Sequence, residues 1–413
     1  MNRFLRFILF LLLITTPALA IEEDISLPEN TPFNEAGINL DGMIDDEDEE
    51  IITDDTEENF YDFKNLNKSV NKEESLFAKI NKNLHDDTIK IDRSHYLFKD
   101  KLTFDYKKGP VERVQFYGKY RGNMSFNFQN GGDYSADYDV TTVAVGMMGE
   151  FRHLKDTDFK LQFNLTPVKD LTFFQQLLSD AYIVNRSIPH HQIFIGNSRN
   201  QVGVEGGLST SLVPFVMRSQ ISRTFGNTRA FGARITGKYS LIDYSLAANS
   251  SDRFFKEFFP GAEFTGWVNF KPLGLTKGKY GKLVIGTGVS TGRNQNSYTV
   301  GGAYVGYTYK KFFINGEYSR ANGYNGRYTS SNNAQGFYTT VGYSITPKIQ
   351  VVGRFDWFDP NMDKSGDIRK EYSAGINYYL IGQGLKIMLN YVFCQNQPIG
   401  DSHRIILGTQ ILL

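Results

Sequence analysis

Cations recur at period two along several stretches of this 413-residue chain. Arg113, Lys119 and Arg121 share one face of residues 113–128 with Gln115, Asn123, Ser125 and Asn127. Val114, Phe116, Tyr120, Met124, Phe126 and Phe128 occupy the other face. Gly118 and Gly122 fill its two remaining positions, and Tyr117 falls on the polar side. Lys160, Arg234, Lys238, Arg354, Lys386 and Arg404 stand on the polar faces of similar stretches. Fixed positive charge along a wetted face raises the local concentration of anions and repels cations. The chemistry on offer is electrostatic selection.

Bond-making chemistry finds little support. A nucleophilic site needs a nucleophile, a base and an orienting group within reach of one another. The six histidines are His85, His95, His153, His190, His191 and His403, and none lies in a nucleophile motif. His190 and His191 follow Pro189 as in a turn, and adjacent residues of an extended chain point to opposite sides. No phosphate loop, dinucleotide fingerprint or paired-cysteine metal motif occurs. Gly206-Gly207 and Gly301-Gly302 read as packing positions. Cys394 is the only cysteine, so no intramolecular disulfide can form. The chain reads as a protein that is not an enzyme, with no cofactor and no metal.

The elements that carry these cations are strands. Residues 113–128 alternate for about sixteen residues, whereas a typical globular strand has about five or six. A strand that long, apolar on one side and charged on the other, suits a wall between lipid and water. Further strands are expected near 138–152, 158–166, 179–186, 190–197, 229–239, 240–249 and 262–271. The second half adds 281–291, 298–309, 311–320, 336–345, 347–357, 370–381, 384–393 and 403–413. A short alternating piece, Leu102, Phe104 and Tyr106, precedes them all. Long connections at 129–137, 250–261, 321–335 and 359–369 sit among tight ones at 240, 310, 346–347 and 382–383. Long outer loops and short periplasmic turns are the habit of outer-membrane barrels. Single-face hydrophobicity without a second apolar layer argues against a soluble sandwich. The expected fold is an all-β transmembrane antiparallel barrel of about 16 strands.

Charges face hydrocarbon only at high cost, so the polar faces are expected to line the interior. They carry Arg113, Lys119, Arg121, Arg152, Lys160, Arg234, Lys238, Lys271, Lys282, Arg354, Lys386 and Arg404. Glu150, Asp243, Glu317 and Asp356 stand against them, about three cations for each anion.

The N-terminal region has a different character. Arg3 and Arg6, the apolar run 7–13 and Ala18-Leu19-Ala20 form a secretory signal peptide, residues 1–20. Residues 21–60 hold sixteen Asp or Glu and no Lys or Arg. From Tyr96 onward the count is thirty-six Lys plus Arg against twenty-three Asp plus Glu. Residues 21–95 read as an acidic periplasmic segment, disordered or loosely helical, and residues 96–413 as the barrel. The carboxylate run lacks the Gly-interrupted alternation of a calcium loop. A solvated tail is one reading of it, and a visitor to the basic barrel is another.

Gly196, Arg199, Gly203 and Glu205, followed by Phe215, Arg218 and Ser219 and then Phe225, Arg229 and Gly232, make residues 196–237 look like the phosphate-selective porin O and P family. Gly196, Arg199, Val202, Gly203, Val204 and Glu205 resemble a strand-end pattern of that family. Phe215, Arg218 and Ser219 match its Phe-x-Glu-Arg-Ser element, with Met217 in place of the usual Glu. Phe225, Arg229, Gly232 and Ala233 match the return into the next strand. Asp356, Asp359, Pro360, Tyr372, Gly375, Asn377, Tyr378 and Tyr379 resemble its C-terminal part, followed by Lys386, Leu389, Asn390 and Tyr391. The likeness spans roughly residues 100–413 and omits the acidic segment.

The resemblance implies a sixteen-stranded, homotrimeric porin of the bacterial outer membrane, embedded in its lipid and assembled there by the barrel-assembly machinery. It implies a water-filled channel for passive diffusion of small hydrophilic solutes, with small anions such as phosphate preferred. It also implies a third outer loop that folds inward, which is the place of residues 198–228. Arg199, Arg218, Arg223 and Arg229 are the candidate anion-binding residues of that constriction. Arg218 and Arg229 come with the motifs, and Arg199 and Arg223 by position. A guanidinium presents a fork of donors to phosphate. Arg218 also reads as a loop anchor. Assembly signals in such barrels commonly end in Phe, whereas Leu413 ends an otherwise fitting strand. A non-selective general porin, or a surface adhesin or structural barrel, are the alternative readings. Nucleic-acid binding is not expected, because the cations face inward behind a signal peptide.

Overall fold

The computed structural model describes residues 96–413, apart from 130, 131, 133, 167–171, 227, 258, 327 and 398. The expected signal peptide at 1–20 and the acidic segment at 21–95 lie outside the described residues.

A one-turn helix, α1 (Lys99–Leu102), leads into the short strand β1 (Thr103–Asp105). Then come β2 (Val111–Gln129), β3 (Tyr134–Phe151), β4 (Thr157–Asn164), β5 (Leu178–Asn185) and β6 (His191–Arg199). A five-residue helix, α2 (Phe173–Leu177), precedes β5. Two short helices, α3 (Val204–Gly207) and α4 (Gln220–Phe225), interrupt the passage to β7 (Arg229–Lys238). After β8 (Ile242–Ser250) and β9 (Ala262–Phe270) a link with a 3-10 turn leads to β10 (Lys282–Arg293). β11 (Ser297–Tyr309), β12 (Phe312–Asn325), β13 (Thr329–Thr346) and β14 (Ile349–Asp359) follow. β15 (Arg369–Ile381), β16 (Leu385–Asn396) and β17 (Gly400–Leu412) complete the set.

Every consecutive pair from β2 to β17 is antiparallel, and β17 returns to β2, with Leu412 opposite Lys119 and Ser402 opposite Gln129. The sixteen strands expected from alternation therefore close on themselves. Closure removes the edges that an open sheet would expose. β1 extends the seam. It pairs with β2 below the end of β17, setting Asp105 opposite Arg113 and Thr103 opposite Gln115. Gly118 and Leu413 exchange both backbone hydrogen bonds at the junction.

The alternation translates directly into two faces. Ile195, Leu246, Phe264, Val305, Ile376, Leu389 and Leu407 are exposed on the outside. Their neighbours Phe194, Ala247, Glu263, Tyr304, Asn377, Asn390 and Ile406 are buried. So continuous an exposed apolar surface fits lipid contact and not water. Among the described residues no helix is long and apolar enough to cross a membrane.

Three expectations need correction. The supposed long connection at 321–335 is mostly strand: Asn325 pairs with Thr329 and Tyr324 with Ser330 across a tight turn. Its Asn, Ser and Gly side chains read as loop, but ladder bonds are backbone bonds and tolerate them once the hairpin extends. The connection at 129–137 shortens likewise, because Tyr134 pairs with Phe128. Arg152 lies one residue past β3 and lines no strand face. It donates to the carbonyls of Tyr106 and Gly109, next to the start of β2.

Candidate functional site

The connection between β6 and β7 is bound to the polar faces of distant strands, and its backbone does most of the bonding. Its amide groups meet carboxylates. Glu317 on β12 accepts the N–H groups of Val204 and Glu205 at 3.0 and 3.2 Å, at the start of α3. Asp356 on β14 accepts the N–H of Gln220 at 2.7 Å, the first residue of α4. Glu205 itself takes the N–H of Ser219 at 2.8 Å and the hydroxyl of Ser222 at 2.9 Å. Helix N-termini present unsatisfied N–H groups, and carboxylates are natural acceptors for them.

Its carbonyl groups meet cations. Arg121 on β2 donates to the carbonyls of Thr210, Phe215 and Val216 at 2.9, 3.0 and 2.8 Å. Lys386 on β16 donates to the carbonyl of Ser211. Asn377 on β15 donates to the carbonyl of Pro214 at 2.8 Å, and Asn390 on β16 accepts the N–H of Val216 at 2.8 Å. Bonds to charged groups contribute about 1.5–3 kcal/mol each in mutational series, without simple additivity. Apolar packing adds to this hold. Val204, Leu208 and Phe215 cluster with Trp267, Val284, Tyr304, Phe313 and Val352. The Arg354 guanidinium lies 4.6 Å from the centre of the Phe215 ring.

The four arginines expected at a constriction take separate places. Arg218 has 0% exposure, and its guanidinium holds the connection together. It donates to the carbonyls of Glu205 and Leu208 and to the Thr210 hydroxyl at 2.9 Å. These partners all belong to the connection itself. Arg223 pairs with Glu371 on β15 at 2.9 Å. Arg199 donates to the carbonyl of Gly206 at 3.4 Å. Arg229 turns back to Asp180 on β5 at 2.6 Å.

The expected lumen cations are better gathered. Lys160 on β4 shares Asp180 with Arg229, at 3.0 Å. Lys119 and Lys160 flank the Tyr117 ring at 5.4 and 6.0 Å from its centroid. Arg234 stacks over Phe194 at 4.2 Å and donates to the carbonyl of Arg199 at 3.0 Å. Arg354 approaches Glu205 at 3.5 Å and Asp356 at 3.9 Å. Lys238 is half-buried opposite Asp243 in the ladder. Arg113 stays half-exposed at the seam, 2.6 Å from Asp105 and 3.8 Å from Glu150.

Sequence reasoning missed Asp158, Asp180, Glu263 and Glu371, and it assigned Glu205 no role. Among the described residues the buried side chains include eleven Lys or Arg and eight Asp or Glu. The ratio of three cations per anion read from alternation is therefore too high. The excess is also local. β2 to β7 with their short turns bury seven cations, Lys119, Arg121, Lys160, Arg186, Arg199, Arg229 and Arg234, against Asp158 and Asp180. β8 to β17 bury Arg354, Lys386 and Arg404 against Asp243, Glu263, Glu317, Asp356 and Glu371. On that second side Lys271 pairs with Asp243, Arg253 with Glu263 and Arg223 with Glu371, so the interior has a basic side and a nearly balanced one.

The second half of the barrel, from the link before β10 into β17, carries a recognisable family signature. Residues 276–404 match the phosphate-selective porin O and P family. The matched porin region contains Arg354, Asp356, Lys386 and the C-terminal elements around Asn377 and Tyr391. The motifs at 196–237 lie outside it. No curated protein sequence matches the chain. Solved porin structures show the same fold. Pseudomonas putida OprB superimposes with a TM-score of 0.56 at 9% identity, over 73% of this chain and 94% of that one. The outer membrane channel DcaP of Acinetobacter baumannii gives 0.53 at 11% identity, over 75% and 99%. An anion-selective porin from Comamonas acidovorans gives 0.52 at 9% identity, over 73% and 99%. The porin barrel is thus common to all of them, while identity this low carries the architecture alone.

Proposed function

We propose that this protein is a passive diffusion channel of the bacterial outer membrane that prefers small anions, phosphate or similar. The observation that supports it is the basic side of the interior, seven buried cations against two buried carboxylates among the described residues from β2 to β7. In a low-dielectric wall such an excess concentrates anions and repels cations. The family matched at 276–404 supports a channel, and its description names phosphate. The connection at 200–228, fastened from β12 round to β2, is the constriction loop in this reading. Arg199 and Arg229 at its two ends, with Arg234, Lys160 and Lys119 on the wall, are the anion-contacting residues. Arg218 and Arg223 hold the loop in shape. Binding at such a constriction stays weak, so that each solute leaves again.

The protein is proposed to reach the outer membrane by a signal peptide at 1–20 and the barrel-assembly machinery, and to function as a homotrimer. Light scattering of the detergent-purified protein tests the trimer.

Planar-bilayer recording across a potassium chloride gradient tests the selectivity. The expected reversal potential shows chloride carrying most of the current, and added phosphate lowers that current. Lys119→Glu with Arg234→Glu is expected to shift the reversal potential toward cation selectivity. A wild-type preference for potassium would discard the anion reading and keep the channel. An absence of conductance would discard the channel and favour a filled structural barrel.

A further inference from the structure

Tyr96 is 3% exposed and packs in one cluster with the inner-facing Tyr117, Met148, Tyr182, Val184, Phe194 and Leu412. Its ring centroid is 5.2 Å from that of Tyr117. The same Tyr117 ring is flanked by the ammonium groups of Lys119 and Lys160. Leu97 donates its N–H to the carbonyl of Leu412 at 3.0 Å, on the strand that closes the barrel. Tyr96 therefore sits on the inner side of the barrel, one aromatic ring away from two buried lysines.

Upstream in the sequence, residues 41–58 contain eleven Asp or Glu and no Lys or Arg. Residues 61–95, between them and the barrel, are close to neutral, with seven Lys or Arg and six Asp or Glu. The basic wall already takes carboxylates: Asp180 serves Lys160 at 3.0 Å and Arg229 at 2.6 Å. An attached carboxylate segment needs only to span the intervening residues. A fully extended chain reaches at most about 3.3–3.6 Å per residue, so the covalent link is long enough, and attachment of this kind gives effective concentrations on the order of millimolar.

We infer that residues 41–58 are an intramolecular ligand of the basic inner wall from β2 to β7, competing there with small anions. The inference rests on the channel reading above and deepens it: the preferred anion of the resting channel is the protein's own acidic segment. Its attraction is electrostatic, so it weakens as salt shortens the Debye length.

Three proteins test this: the full chain, a Δ41–58 deletion, and a variant with the eleven acids of 41–58 changed to Asn or Gln. Each is recorded in bilayers at low and high potassium chloride. A photo-crosslinking residue at Ile51 of the full chain reports proximity independently of conduction. The full chain is expected to conduct several-fold less than either variant at low salt, with the difference vanishing at high salt. Synthetic peptide 41–58 is expected to block the deletion channel. The Ile51 crosslink is expected on tryptic peptides of β2 to β7. Equal low-salt conductance of the three proteins overturns the inference. If none conducts, the channel reading falls, and the crosslink alone decides whether the segment occupies the wall: its presence on those peptides supports the inference, its absence ends it.

Discussion

Asp356 on β14 accepts the backbone N–H of Gln220 at 2.7 Å, 136 residues away in sequence. The bond fixes the start of α4 to the inner wall, and Glu205 reinforces it through Ser219 and Ser222. Asp356→Ala is expected to free the α4 end of the connection while leaving the barrel closed. The lost charge-assisted bond is worth about 1.5–3 kcal/mol. Limited trypsinolysis checks this: cleavage after Arg218 and Arg223 should accelerate, with heat-modifiable gel mobility of the barrel retained. Unchanged cleavage would mean that Asp356 does not hold the loop.

Gly408 on β17 leaves room for the same connection. A Cβ there would come within 2.6 Å of Val216 Cγ2, with Met388 Cε at 3.3 Å as the next neighbour. All the near atoms are side-chain ends, so the strand itself tolerates a larger residue. Gly408→Leu is expected to lever residues 213–217 off the wall and raise single-channel conductance. A folded barrel with wild-type conductance would refute this.

Arg218 and Arg229 are expected to respond differently to truncation. Arg218→Ala removes donors from the carbonyls of Glu205 and Leu208, so the loop loosens and current noise increases. Arg229→Ala removes a cation from the basic wall, so anion preference falls while the loop stays in place. Reversal potential and noise spectra, measured on both variants, separate the two roles.

Asp180 lies between Lys160 and Arg229 with its side chain fully buried. Asp180→Asn takes away the carboxylate they share, and breaking a buried pair costs about 3–5 kcal/mol. The urea midpoint of the refolded barrel is expected to fall. Lys160→Met in the Asp180→Asn background should recover part of the loss. No recovery would show that Lys160 and Asp180 are not energetically coupled.

Much of the fold was written in the sequence because strand facing is a local property with period two. Residues 113–128 show which side of β2 meets lipid without knowledge of any other strand. Lys119, Arg121, Arg234 and Arg354 could be placed inward for that reason. The extra length of β12 and β13 was less legible, since cross-strand backbone bonds extend a hairpin through Asn, Ser and Gly that carry no strand signal.

The loop's attachment was decided by tertiary structure alone. Arg121 binds three carbonyls 89 to 95 residues away, and Glu317 binds amides more than a hundred residues away. Every residue has a carbonyl and nearly every residue an amide, so no residue type marks which will be chosen. The sequence by itself determined a closed wall with polar residues inside and apolar residues outside. Only the folded chain decided how its charges divide into a basic side and a side of paired charges. That division depends on which strands stand next to one another, and on where a connection 29 residues long by its bounding strands comes to rest.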